Sequence, residues 1–202
     1  MSVFERCLEK CRAKKGVVVY SDGEDKRVVS AAAKLIREGL VEPVLIGDPE
    51  KVRAALQESG ETGVSLQVIN PFNPSLLEHN ASEYMAIQKA KGKDITEEDA
   101  LKAVKNPLAA GALMVRRGEA EIGVAGNLSS TADVIRAGLR MIGTAAGTKT
   151  VSSFFFMLKD EKVCMFTDCA VIPDPTSAQL ADIAVSTAGV YKRVMGDEPR
   201  VA

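Results

Sequence analysis

Compact apolar runs alternate with amphipathic stretches along most of the chain. Val17-Val18-Val19-Tyr20, Pro43-Val44-Leu45-Ile46 and Ile122-Gly123-Val124-Ala125 are continuous runs with no polar alternation. Ser65 to Asn70 reads as a further strand between the second and third of these. Strands of a parallel sheet buried on both faces look like this. The stretches between them carry helical spacing. Ser2 to Lys14 places Phe4, Cys7, Leu8 and Cys11 on one side, and Gly16 ends it. The acidic turn Ser21–Asp25 leads into a helix through Leu40 with Val28, Ala32, Leu35 and Ile36 inward. The acids suit the positive end of that helix. Asp48-Pro49-Glu50 opens another, with proline in its first turn. From Pro74 to Gly118 the pattern is helical in three segments, broken near Gly92 and at Asn106-Pro107, with Thr96-Glu97-Glu98-Asp99 as an N-cap. Strand and helix in alternation predict an α/β domain with a parallel sheet.

The pattern changes after Gly143-Thr144-Ala145-Ala146-Gly147. Val151 to Leu158 is aromatic and apolar, Lys159-Asp160-Glu161-Lys162 reads as a turn, and Val163-Cys164-Met165-Phe166 opens a second strand. Two strands joined by a short charged turn predict a hairpin. Pro173 and Pro175 bracket Asp174 before a long helix from Thr176 to about Met195, with Leu180, Ile183, Ala184, Thr187 and Tyr191 inward. Glu198-Pro199-Arg200-Val201-Ala202 reads as the first residues of another strand. The expected organisation is a first domain over residues 1–149 and the N-terminal part of a second over 150–202. The second offers too few elements to cover both faces of a sheet.

Composition narrows the function classes. The chain has 202 residues, 46% hydrophobic and 26% charged, with a formal net charge of −1. That balance points to neither nucleic acid nor a membrane surface as partner. No apolar run approaches the roughly eighteen residues a membrane helix needs. The first residues alternate charge with apolar side chains and do not read as a signal peptide, so a cytoplasmic protein is expected. Cys7 and Cys11 lie one helical turn apart, but no second pair of ligands accompanies them. Separate reduced thiols, together with Cys164 and Cys169, are the expectation, and no metal site is. His79 is the only histidine and reads as a surface residue.

The chemistry concentrates in Ala125-Gly126-Asn127-Leu128-Ser129-Ser130-Thr131-Ala132-Asp133-Val134-Ile135-Arg136. The form is strand, small polar turn, helix, with Ala132, Ile135, Leu139 and Ile142 at helical spacing. Unpaired N–H groups and partial positive charge at a helix start attract anions. Arg136, one turn on, can offer a bidentate fork to phosphate or carboxylate. Simple helix capping by the hydroxyls, with a solvated arginine, fits the same residues.

At these residues the chain resembles the phosphate acetyltransferases and their phosphate butyryltransferase relatives. Asp22-Gly23-Glu24-Asp25-Lys26-Arg27, Asn106 to Val115 and Gly118-Glu119-Ala120-Glu121 carry the likeness. So do Val124 to Arg136, Gly147 to Phe155, Phe166 to Thr176 and Glu198 to Ala202. Asn-Leu-Ser-Ser-Thr-Ala at 127–132 is most similar to the ethanolamine-utilisation branch. The resemblance implies a three-layer α/β/α fold like that of isocitrate and isopropylmalate dehydrogenases, in two domains with the site in the cleft between them. It implies reversible acyl transfer between coenzyme A and inorganic phosphate by direct thiolate attack, with no tightly bound cofactor. Acyl-CoA, phosphate and acyl phosphate are the implied small molecules, acetyl being expected first and propionyl or butyryl remaining open. A homo-oligomer or a complementing chain is the implied assembly.

Carried over by residue, Arg136 matches the arginine that holds the phosphate. Asn127, Ser129, Ser130 and Thr131 match the phosphate-side turn, and Ser152 and Ser153 match serines opening the second domain. Core-strand roles fit Ser152 and Ser153 equally well. Gln88, in Ala86-Ile87-Gln88-Lys89-Ala90-Lys91-Gly92, stands where the family often has a second arginine; Lys89 and Lys91 are candidates to replace its charge. The family's serine–arginine pair and the aspartate proposed as thiol base belong to a later region, so this chain is expected to be inactive or weak alone. The rival expectation is a non-catalytic phosphate- or acyl-phosphate-binding paralogue or split subunit. A metal-dependent decarboxylating dehydrogenase of related fold lacks the aspartates and nucleotide loop it would need; Asp168 and Asp174 read as turn and helix-entry residues.

Overall fold

The computed structural model describes residues 2–61, 63–159 and 162–202. Its contacts divide the chain into two units: a larger one, Leu8–Gly143, and a smaller one of the residues up to Cys7 with Thr144–Ala202.

The larger unit is built on a four-stranded parallel sheet. Its strands are β1 (Gly16–Tyr20), β2 (Val41–Ile46), β3 (Gln67–Ile69) and β4 (Ile122–Val124), in the order β3-β2-β1-β4. The register sets Val19 against Val44 on one side and Gly123 on the other. Successive side chains of β1 point to opposite faces. Val18 and Tyr20 pack with Leu45 against Val29 and Ala32 of α2 (Lys26–Arg37) and Val52 and Ala55 of α3 (Pro49–Glu58). Val19 packs with Val44 and Ile46 against Ala110 and Met114 of α6 (Pro107–Arg117). Helices on both faces are why β1 and β2 read as unbroken apolar runs; Ile122 and Val124 of β4, read from the sequence as buried, are 55% and 43% exposed. This is the three-layer α/β/α arrangement that was expected.

The long helical region resolves into α4 (Pro74–Ala90), α5 (Glu97–Val104) and α6, broken where Gly92 and Asn106-Pro107 predict. Asn73, Thr96 and Asn106 cap their N-termini, the first and last followed by proline. The side chains of α4 and α5 form a core of their own with Leu113 of α6 and Met141.

After β4 the helix departs from regular α-helical spacing. The helix α7 (Thr131–Ala137) is followed by a π turn over Gly138–Ile142, closed by Gly143 N–H donating to Gly138 O at 2.9 Å. A π turn carries more residues per turn than an α-helix. The inward position therefore passes to Met141, 2% exposed, while Leu139 and Ile142 stand 42% and 40% exposed.

The smaller unit holds an antiparallel hairpin, β5 (Phe154–Lys159) and β6 (Lys162–Thr167), and α8 (Ser177–Met195). The expected turn at Asp160-Glu161 lies outside the described residues. Phe154 and Phe156 meet edge to face, with centroids 5.7 Å apart. A capping box between Thr176 and Gln179 starts α8, and Gly196 at φ 82° ends it. Ile183 and Thr187 are its buried residues; Leu180, expected inward, is 52% exposed. Residues 198–202 are irregular and not the expected strand.

Gly23 is required by close approach. A Cβ there would stand 2.7 Å from Ile46 O and 2.9 Å from Leu45 Cβ, at the C-terminal end of β2. The Gly23 N–H donates to that same Ile46 carbonyl. Backbone cannot move aside as a flexible side chain does. Gly23→Ala is expected to cost about 1–3 kcal/mol, measured by urea unfolding; an unchanged midpoint would refute the close-approach account.

Candidate functional site

The strand order places a topological switch beside β1: the chain runs outward through β2 and β3, then returns to add β4 on the other side. In open α/β sheets the crevice beyond the strand C-termini at such a point is where ligands bind. A cleft of about 580 Å³ lies there. Its walls come from the segment after β1 (Ser21–Glu24), the segment after β4 (Leu128 and Ser129), and the face of α7 and the π turn bearing Asp133, Arg136 and Arg140. Lys51, Phe72 and Asn106-Pro107-Leu108 complete it.

Asp22 ties the two strand ends together. Its Oδ2 accepts from Gly126 N–H at 2.9 Å and Asn127 N–H at 2.8 Å, and Ser129 Oγ lies 3.5 Å from Oδ1. Ser21 N–H donates to Val124 O at 3.1 Å. The N–H groups of Gly126 and Asn127 are thus given to a buried carboxylate of the protein itself. That carboxylate holds the loop which presents Ser129 and the start of α7. The composition of Ser21–Asp25 revealed acidity but not this aim.

Ser130 caps α7, accepting from Asp133 N–H at 3.2 Å while its hydroxyl donates to Asp133 Oδ2 at 2.7 Å. The Ser130 hydroxyl first, against some desolvation, and then Arg136 hold the Asp133 carboxyl below its usual range. Arg136 Nη1 lies 2.5 Å from Asp133 Oδ1, an exposed pair that leaves the other guanidinium donors uncommitted. Lys51 Nζ lies 2.9 Å from Glu24 Oε2, and that contact raises the lysine's pKa.

Of the residues expected at the site, Arg136 and Ser129 line the cleft. Ser130, Thr131 and Asn127 belong to the same loop and helix start, all three exposed. Gln88 is buried on α4 and is not among the lining residues. Neither lysine beside it lines the cleft: Lys91 Nζ instead lies 3.5 Å and 3.4 Å from the carbonyls of Leu139 and Arg140. Sequence reading missed Asp22, Lys51 and Arg140. The available signal for Arg140 was its position four residues beyond Arg136, a spacing that sets side chains on one helix face.

Ser152 and Ser153 belong to the smaller unit. There Ser153 is a structural staple. Its Oγ donates to Asp168 Oδ1 at 2.6 Å and accepts from the N–H groups of Cys169 and Ala170, each at 3.0 Å. Asp168 also accepts from Ser153 N–H at 2.8 Å and Ile172 N–H at 2.7 Å. Desolvation pushes this carboxyl up, but the hydrogen bonds from Ser153, Ile172 and Ala170 outweigh it and hold the pKa far below the ordinary carboxylate range. Asp168 is a turn residue, as expected, and the organiser of that turn.

Among the described residues no group of histidine, cysteine and acidic side chains is arranged to hold a metal ion. No helix among them is long and apolar enough to cross a membrane.

Comparison with known proteins agrees with this geometry. The phosphate acetyltransferase of Thermoanaerobacterium thermosaccharolyticum is 34% identical over the whole chain, and that of Clostridium acetobutylicum 35%. The chain spans 62% of the length of each of these relatives. A phosphotransacetylase from Streptococcus pyogenes superposes with a TM-score of 0.87 at 35% identity, over 96% of this chain and 58% of that one. The EutD phosphotransacetylase from Staphylococcus aureus gives 0.84 at 30% identity, with the same coverage. The phosphate acetyl/butaryl transferase family model matches residues 2–202. With these likenesses running the length of the fold, the chain belongs to the phosphate acetyl/butaryl transferase family.

Proposed function

We propose that the chain takes part in reversible acyl transfer between coenzyme A and inorganic phosphate, and that the switch-point cleft holds the phosphoryl group. The observation that carries the reading is that Arg136 lines that cleft together with Ser129 of the loop that Asp22 fixes. Acyl-CoA, orthophosphate and acyl phosphate are the proposed substrates, with acetyl as the first acyl group to test.

In the direction of acyl-CoA synthesis, the thiol first loses its proton to a base. The thiolate sulfur then attacks the acyl carbonyl carbon; the S–C bond forms, the C–O bond to phosphate breaks, and its electron pair leaves on the phosphate oxygen. The Arg136 guanidinium holds the phosphate and offsets the charge gathering on it, which is positioning plus electrostatic stabilisation. The Asp133 carboxylate keeps Arg136 extended toward the cleft. The rigid Asp22 clasp reduces the reorganisation needed when the anion arrives.

Competition calorimetry tests the reading. Orthophosphate is expected to bind the chain, and acetyl phosphate to displace it, because both present the same phosphoryl group. Failure of orthophosphate to bind, or binding indifferent to acetyl phosphate, would overturn it. Thiol release from acetyl-CoA on adding phosphate to the same protein would show that residues 1–202 suffice for the transfer.

A further inference from the structure

We propose that Arg140 supplies the second positive charge that holds the phosphate in the cleft, in the role that the position of Gln88 leaves uncharged. The inference rests on reading the cleft as a phosphate site. Three cationic side chains line it, namely Lys51, Arg136 and Arg140. Two of them arrive with a carboxylate already in contact, Lys51 with Glu24 and Arg136 with Asp133. Among the described residues the Arg140 guanidinium has no ion pair and no hydrogen bond, while its backbone carbonyl faces Lys91 Nζ at 3.4 Å. The remaining lining carboxylate, Asp22, is buried and spends its charge on the N–H groups of Gly126 and Asn127. Arg140 is therefore the cation of this cleft whose charge the protein does not answer. A guanidinium with all five donors available suits a tetrahedral oxyanion, which it can grip with two parallel hydrogen bonds.

The backbone explains how Arg140 comes to stand there. The π turn over Gly138–Ile142 sends Met141 into the core of α4, α5 and α6 while Arg140, its neighbour, stays on the cleft wall. Single π turns inside helices occur frequently at functional sites. Lys91, at the end of α4, sets its ammonium against the carbonyls of Leu139 and Arg140 and so steadies the turn. Its charge serves the phosphate through Arg140 and not by contact.

Orthophosphate binding by calorimetry separates this proposal from the reading beneath it. The proteins are the wild-type chain, Arg136→Gln, Arg140→Gln and Arg140→Lys, each checked for an unchanged circular dichroism spectrum. Arg140→Gln is expected to weaken binding about 10- to 100-fold, the loss of charge-assisted hydrogen bonds to the anion. Arg140→Lys, which keeps the charge but not the fork, is expected to fall between it and wild type. If wild type binds and Arg136→Gln weakens it while both Arg140 variants bind like wild type, Arg140 has no such role and the phosphate reading survives. If wild type itself does not bind orthophosphate, both the reading and the proposal fall. Arg140 is exposed, so its replacement is not expected to unfold the chain; the lysine variant carries the test even if the glutamine variant proves unstable.

Discussion

Arg136→Gln is expected to weaken orthophosphate binding about 10- to 100-fold while moving the unfolding free energy by no more than about 0.5 kcal/mol. The two effects separate because of where the side chain lies. Its partner in the free protein is Asp133, three residues earlier on the same helix, and both side chains are about half exposed. Exposed helical pairs of that kind are worth only tenths of a kcal/mol. The same guanidinium faces the cleft, where a doubly charged oxyanion would meet it with two oxygens. Calorimetry with orthophosphate and urea unfolding on the same samples measure both quantities. Large destabilisation with unchanged binding would make Arg136 a structural residue.

Asp168→Ala is expected to cost the smaller unit about 3–4 kcal/mol, among the larger effects of a single substitution. The carboxylate collects N–H groups of Ser153, Val171 and Ile172 and the Ser153 hydroxyl within 3.2 Å. Removing it strands those donors together, and the Ser153 hydroxyl loses the acceptor that orients it toward Cys169 and Ala170. The folded-state pKa is depressed, so the sign follows from linkage: the contribution is complete above the unfolded value near 4 and is lost as pH falls toward the folded value. Thermal unfolding of wild type from pH 7 down to pH 2 should show stability falling below about pH 4. In Asp168→Asn that part of the dependence should vanish. A parallel fall in both proteins would assign the acid sensitivity to other carboxylates.

Much of the fold was legible because its signals are local. Val17–Tyr20 and Pro43–Ile46 read as two-faced strands since each side chain has a helix to meet, Val18 on one face and Val19 on the other. Pro49, Pro74 and Pro107 begin helices because a missing N–H costs nothing in a first turn. Leu139 and Ile142 keep the helical spacing of the apolar positions but are exposed, because periodicity assumes a constant turn and the π segment breaks that assumption over five residues. Leu180 has α-helical spacing and remains exposed, since spacing shows which residues share a face but not whether anything covers it.

The site divides in the same way. Ser130 as a cap and Arg136 one turn later follow from residue types and short separations, which a sequence displays directly. Asp22 reaching Gly126 and Asn127, more than a hundred positions away, could not be read from acidity in a turn; it depends on β1 and β4 being neighbours in the sheet. Gln88 drew attention by its place in a motif, yet the packing of α4 buries it away from the lining while Arg140 takes the wall. Sequence alone determined the helix caps, the two-faced strands, the α/β class and the family, because propensity, capping and burial pattern act over a few residues. Strand order, the pairing of Lys51 with Glu24 and the identity of the cleft's unpaired cation were decided only by the tertiary structure, because pairing between distant residues depends on distances that chain separation does not set.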